Sequence, residues 1–208
     1  LPWVVGVFAG WSLLWLRGSA FVTGLPLGGY GWPGYFINGW SYAHGATANY
    51  DRIRGLLHGA LLGHLGEALG NYADAALIIA SVSMAAGVLA AGLGARALSN
   101  PWAGALAAVS LPVLREVAGA SRWANSYPLL AGMTGLGLAL ALASARWPRW
   151  WLVVPTGVVV ALAWSSDTRG AIILPAALVL VGLGAVRERR WWLPLGLLVG
   201  LMVMPGLE

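Results

Sequence analysis

The sequence contains no cysteine, and its twelve basic residues are all arginine. Without thiols, disulfides and thiolate metal sites are excluded, and composition carries no trace of a redox compartment. Charge of either sign is scarce. Charged residues make up 9% of the 208 positions against 59% hydrophobic, and the mean hydropathy is +0.76, a balance no ordinary water-soluble domain carries without aggregating. A bilayer is the solvent these figures imply. Metal-ligand spacing is missing too: His44, His58 and His64 form no recognised pattern, and Glu67 three residues after His64 is too little to argue for zinc, so no metal site is expected. A net charge of +5 would suggest nucleic acid in a soluble protein. Here the arginines mostly flank apolar stretches, so lipid headgroups are the expected partners and nucleic acid is not.

What the sequence does have is long uncharged runs. A hydrocarbon core about 30 Å thick takes roughly 17 to 25 apolar residues as helix. Residues 75–95, 123–145, 150–166, 170–186 and 191–207 meet that requirement with no charge inside, and 1–16 and 97–114 come close. The expected fold class is therefore all-α: a polytopic transmembrane helical protein of about seven spans, forming one transmembrane domain over residues 1–208. Within it, residues 17–74 make one long external loop with a juxtamembrane helix, and residues 75–207 make helical hairpins. The chain opens on Leu1 rather than Met and stops at Glu208 directly after an apolar run, which reads as a processed or partial chain. Gly18-Ser19-Ala20 is small enough for signal cleavage, but the basic n-region of a signal peptide is absent, so a truncated first membrane helix is the preferred reading.

The segment 17–74 is rich in Gly, Tyr and Trp, and loops of that length are usually functional. In its second half Ile53, Leu57, Ala60, Leu61 and Ala68 recur at helical spacing, which predicts a helix lying in the interface plane, although four glycines weaken it in water. With alternating spans, one side collects Arg96, Arg146, Arg149, Arg187, Arg189 and Arg190 in short turns, with only Glu188 for company. The other collects Arg17, Arg52, Arg54, Arg115, Arg122 and Arg169 beside Asp51, Glu67, Glu116 and Asp167. The positive-inside rule weights short loops most heavily and puts the first set in the cytoplasm. Trp147, Trp150, Trp151, Trp191 and Trp192 beside those arginines fit an aromatic belt.

Ionisable groups at membrane depth are costly unless paired, and they default to functional candidates. Arg115-Glu116 and Asp167-Arg169 each carry a partner, so a local ion pair at a helix end and a functional role stand side by side. Asp51 opens the predicted interfacial helix, with Arg54 and His58 three and seven residues on and near the same face. A carboxylate held against basic neighbours suits a general base for an acceptor hydroxyl or amine. Asp51 equally suits a plain N-terminal helix position favoured by the macrodipole. Arg122 and Arg169 each sit at the mouth of a membrane helix, where a guanidinium fork can take phosphate oxygens two at a time.

Three stretches carry a family resemblance. The first is a helix followed by a long loop with Tyr50-Asp51-Arg52 leading into the juxtamembrane helix. The second is Pro112-Val113-Leu114-Arg115-Glu116 with Ser121-Arg122-Trp123-Ala124-Asn125-Ser126-Tyr127-Pro128. The third is Trp164-Ser165-Ser166-Asp167-Thr168-Arg169-Gly170 ahead of an apolar run. Their order resembles the N-terminal portion of the GT-C superfamily of integral-membrane glycosyltransferases, in particular the bacterial relatives of protein O-mannosyltransferases and aminoarabinose transferases. The resemblance implies an enzyme of a bacterial inner membrane that moves a sugar from a polyprenyl-phosphate donor to an acceptor on the external face. Asp51 falls on the first-loop acid, with an implied role as catalytic base, while Arg122 and Arg169 are implied phosphate binders; Arg54, His58 and Glu116 complete the expected substrate-binding set. The resemblance leaves the sugar, the acceptor and any divalent cation open. Many relatives place a further acid shortly after the second-loop arginine, where this chain has Asn125 and Ser126, with Glu116 the acid available in its place. Full enzymes also generally continue through several more helices. The alternative reading is a non-catalytic membrane subunit packed against partner proteins, pigments or lipids, which the thirty glycines favour because small residues let helices approach closely in lipid.

Overall fold

The computed structural model describes residues 1–19, 32–46, 56–123 and 125–203, and all regular structure among them is helical. In chain order the helices are α1 (Pro2–Ser19), α2 (Trp32–Ala43), α3 (Leu56–Leu69), α4 (Tyr72–Leu98), α5 (Pro101–Ser110), α6 (Arg115–Ala120), α7 (Tyr127–Arg146), α8 (Trp150–Ser166), α9 (Ile173–Arg187) and α10 (Leu193–Leu201). Two 3-10 turns, Leu111–Val113 and Thr168–Ile172, extend α5 and lead into α9. Three helical segments, Tyr72–Leu98, Tyr127–Arg146 and Thr168–Arg187, are long and apolar enough to cross a membrane. By length and apolarity this is a membrane protein.

The seven expected spans are thus not all of full length. Residues 97–114 do not form one helix: Ala97 and Leu98 finish α4, and Asn100 then caps a new helix by accepting from Trp102 N and Ala103 N, with Pro101 at its first position. That pairing is a strong start signal, since proline lacks the donor that a first-turn residue could not use anyway. Pro112 then closes the helix in a 3-10 turn. The apolar run at 191–207 yields a described helix over Leu193–Leu201, and α8 reaches 17 residues. α1 has 18 residues, but three tryptophans and Arg17 dilute its apolarity.

The expected external loop at 17–74 contains two packed helices. α2 was not expected, and α3 begins at Leu56. α3 packs on α2, α4 and α8. Its buried side is Leu57, His58, Gly59, Leu62, Gly63 and Gly66, not the aliphatic stripe read from spacing, since Ala68 is exposed and Leu61 half-buried. The glycines that weaken this helix in isolation let α2 approach it. A Cβ on Gly63 would sit 2.6 Å from the Gly39 carbonyl oxygen, and one on Gly39 would sit 2.9 Å from Leu62 Cγ.

The same device closes the other helix pairs. The most extensive contact is α4 against α7, where Gly132 meets the Ser83 backbone carbonyl. Gly104 of α5 lies over α4, a Cβ there being 2.6 Å from the Gly92 carbonyl oxygen, while Gly157 and Gly200 bring α8 and α10 together. Between these contacts sits an aliphatic core that includes Val153, Val160, Val181, Leu193 and Leu197.

Several of the described arginines can be placed at one or the other end of this bundle by their contacts. Arg96 lies between two tryptophan rings, 4.8 Å from Trp3 and 5.0 Å from Trp147. At the same end Arg187 Nη2 donates to the Arg146 carbonyl at 2.9 Å and Arg190 Nη1 to the Pro148 carbonyl at 3.1 Å. Arg122 belongs to the other end. Its neighbour Ser121 accepts a hydrogen bond from Ser81, which is fifteen residues before Arg96 on α4, about 22 Å along a helix rising 1.5 Å per residue.

Replacing Gly132 with Val forces a branched side chain into the Ser83 backbone, whereas Gly182 has nothing within 4 Å of its would-be Cβ. Gly132→Val is expected to destabilise by about 1–3 kcal/mol or more, as overpacking of a close contact does. Gly182→Val is expected to change little. Thermal unfolding of both variants in detergent, followed by size-exclusion chromatography, measures the contrast.

Candidate functional site

A pocket and a buried acid lie at the end of the bundle where α1 finishes, α7 begins and the α8–α9 hairpin turns. α1 presents Trp11 and Trp15, four residues apart and so on one face, towards α4 and the turn after α6. With Leu14, Ser81, Ala85, Ser121 and Arg122 they line a pocket of about 250 Å³. Trp11 Nε1 donates to the Ala85 carbonyl at 2.8 Å, tying α1 to α4. Ser81 Oγ donates to the Ser121 carbonyl at 3.0 Å, and Ser121 Oγ to the Ala118 carbonyl at 2.7 Å. The other polar side chains of the wall therefore already have partners.

Arg122 differs. Its guanidinium carbon lies 5.4 Å from the centre of the Trp15 ring, a cation–π placement. Its Nε is buried, with no hydrogen-bond partner among the described residues. Gly18 makes room for it, since a Cβ there would stand 3.3 Å from Nε. An arginine carries five N–H donors and cannot shed its charge, and an unpaired buried donor costs about 1–3 kcal/mol, more when charged. The wall thus combines an unpaired cationic donor with the apolar surfaces of Trp11, Leu14, Trp15 and Ala85.

A second cluster surrounds the 3-10 turn Thr168–Ile172. Gly170 packs directly on the Ala163 carbonyl and Trp164 N, so the turn folds back over the end of α8 and Asp167 becomes buried, at 4% exposure. Asp167 Oδ1 caps the turn by accepting the Arg169 N–H at 2.9 Å, and the same oxygen is 3.7 Å from Arg169 Nε. The Arg169 side chain is 66% exposed. It lies over the Tyr127 ring at 5.8 Å, with the Tyr127 hydroxyl and Tyr35 as further electrostatic neighbours. Tyr35 in turn meets His58 edge-on at 5.4 Å, both of them buried.

The residues expected from sequence are placed as follows. Arg122 lines the pocket. Arg169 stands at the same end but outside the pocket wall; Tyr127, which it covers, is five residues from Arg122 and so within about 17 Å of it along the chain. Of the two candidate ion pairs, Asp167–Arg169 forms, whereas Arg115 and Glu116 are both exposed and no ion pair joins them among the described residues. His58 faces Tyr35 inside the α2–α3 pair rather than an open surface. Asp51 and Arg54 lie outside the described residues. No group of three or more potential metal ligands occurs among the described residues. Trp11, Trp15, Ser81 and Tyr127 are not among the residues expected from sequence; the i, i+4 tryptophan pair on α1 was the available signal.

Trp11→Phe keeps the ring but removes the bond from α1 to the Ala85 carbonyl, and is expected to cost about 1 kcal/mol, the net worth of one such bond. A lowered thermal midpoint with unchanged helical circular dichroism is the expected result. No protein-family model matches the chain, and neither a curated protein nor a solved structure proves similar to it.

Proposed function

We propose that the chain is the membrane-embedded part of a GT-C-type glycosyltransferase that draws its sugar from a polyprenyl-phosphate carrier at the external face of a bacterial inner membrane. The observation that carries this reading is the buried, unpartnered Nε of Arg122 in a pocket walled by Trp11, Leu14, Trp15 and Ala85. A prenyl phosphate matches both halves of that wall. Its phosphate oxygens accept from the guanidinium fork, and its isoprenoid carbons replace lipid against the tryptophans. Arg169, mostly exposed at the same end of the bundle, is a second donor for the anion. When the bond from sugar to phosphate breaks, charge develops on the leaving phosphate, and fixed guanidinium donors lower the barrier by stabilising it. The resemblance assigns the base to Asp51, which lies outside the described residues.

Farnesyl phosphate is expected to bind the reconstituted chain at least about 10-fold more tightly than uncharged farnesol, because a hydrogen bond to a charged group is worth about 1.5–3 kcal/mol. Arg122→Ala is expected to erase that preference, and Arg122→Lys to restore only part of it, since an ammonium lacks the planar fork. Quenching of tryptophan fluorescence by titrated ligand reads both. Equal affinity for the phosphate and the alcohol in the wild-type chain would remove the basis of the proposal.

A further inference from the structure

We infer that the Arg122 pocket reads its ligand through the phosphate and the first isoprene unit alone, so that the carrier it takes is a prenyl monophosphate of any length. This rests on the reading above, which names a polyprenyl phosphate without saying which part of it the chain recognises. The first observation is size. At about 250 Å³ the pocket falls below the roughly 300–1,000 Å³ of sites that enclose a drug-sized ligand. With about 30 Å³ to each water-sized group, it holds on the order of eight such groups. That is room for a phosphate and the first few carbons of one chain, and too little for a two-chain phospholipid whose phosphate is esterified on both sides.

The second observation is the order of groups along the bundle axis. Arg122, Ser121 and Ser81 lie towards the end of the bundle, while Trp11 and Ala85, joined by the indole hydrogen bond, lie one turn further in than Trp15 and Ser81. One turn is about 6 Å along each helix. Leu14, buried at 5% exposure, completes the inner, apolar part. The hydroxyl protons of Ser81 and Ser121 are already given to carbonyls, which leaves Arg122 as the cationic donor for an anion. Polarity therefore fixes the direction of the ligand, with its phosphate outward beside Arg122 and its first carbons inward against Trp11 and Leu14. Beyond the pocket the surroundings change. Trp15 is 66% exposed, and the same face of α1 continues through Phe8 and Val5, at 60% and 63% exposure. In a bilayer that face is covered by acyl chains as apolar as the prenyl carbons that would displace them, so the exchange gains nothing. Recognition stops where the pocket stops.

The test uses the full chain in phosphatidylcholine nanodiscs, with lipid ligands expressed as mole fraction of the bilayer and binding read by tryptophan fluorescence. Geranyl, farnesyl and geranylgeranyl phosphate are expected to bind within about threefold of one another, because the added isoprene units only exchange with acyl chains. Among soluble probes, dimethylallyl phosphate, which carries a single unit, is expected to bind at least about 10-fold more tightly than inorganic phosphate, the gain from burying its carbons. Ala85→Leu, which fills the inner part of the pocket, is expected to remove that gain and to leave the affinity for inorganic phosphate unchanged, with the thermal midpoint reporting whether the variant folds. Affinity that climbs steadily with chain length, or dimethylallyl phosphate that binds no better than inorganic phosphate, overturns the inference; where farnesyl phosphate is still preferred to farnesol, the transferase reading stands. Phosphatidylglycerol that binds as tightly as farnesyl phosphate overturns both, leaving a site for anionic lipid in general, and equal affinity for farnesyl phosphate and farnesol removes the ground for both. The length series and the single-unit probe use the wild-type chain, so they decide the matter whether or not the variant folds.

Discussion

Acyl chains are as apolar as leucine, so two helices in a bilayer gain little by burying aliphatic side chains against each other, and their association depends on how closely the backbones can come. Every other feature of this bundle follows from that limit. Glycine sits at the crossing of α1 with α5, α5 with α4, α4 with α7, α2 with α3 and α8 with α10, each time against a neighbour's backbone or Cβ. Because α4 and α5 meet through Gly92 and Gly104, and α1 meets α5 through Gly6 and Gly10, the three helices are held at a fixed separation. The pocket beside Arg122 lies between α1 and α4 and is lined by Trp11 and Trp15 of the one and Ser81 and Ala85 of the other. The site is therefore a consequence of packing set by small residues elsewhere.

This distribution bears on how the sequence could be read. The division of arginines between two ends was legible, because charge is expelled from an apolar span whatever the packing, and Arg96, Arg187 and Arg190 on one side and Arg122 and Arg169 on the other follow it. Helix boundaries were legible where a local signal exists, as at Asn100-Pro101. α2 was not, because its Gly-, Trp- and Tyr-rich sequence has no aliphatic period; what stabilises it is the fit of Gly39 and Gly63 against α3, a tertiary fact. The burial of Asp167 was hidden for the same reason. In sequence it is one half of an ordinary i, i+2 ion pair, and only the approach of Gly170 to Ala163 encloses it.

The two clusters also show why a charged residue in such a chain has to be judged by its hydrogen bonds rather than by its position. Arg96 and Arg122 both lie over tryptophan rings at the flank of an apolar helix, and by sequence they are equivalent. Arg96 is enclosed by two rings, whereas Arg122 has one ring and a buried Nε that nothing described accepts. Similarly, Glu116 and Asp167 are both carboxylates next to arginines, but one is exposed on a short helix and the other is buried with one oxygen bonded.

The same accounting bears on the choice between the proposed transferase and its rival, a structural subunit. The rival drew its support from the thirty glycines, as surfaces for partner helices. Those at five helix crossings are already used within the chain, and the described glycines with nothing within 4 Å of a would-be Cβ, Gly45, Gly70, Gly119 and Gly182, fall on separate parts of the chain and form no stripe. A partner helix would also have to supply an anion to Arg122 from within lipid, at its own desolvation cost. A mobile amphipathic ligand that carries its phosphate into the pocket while its chain stays in the bilayer would meet the Arg122 demand without that cost, and this is what favours the proposed reading.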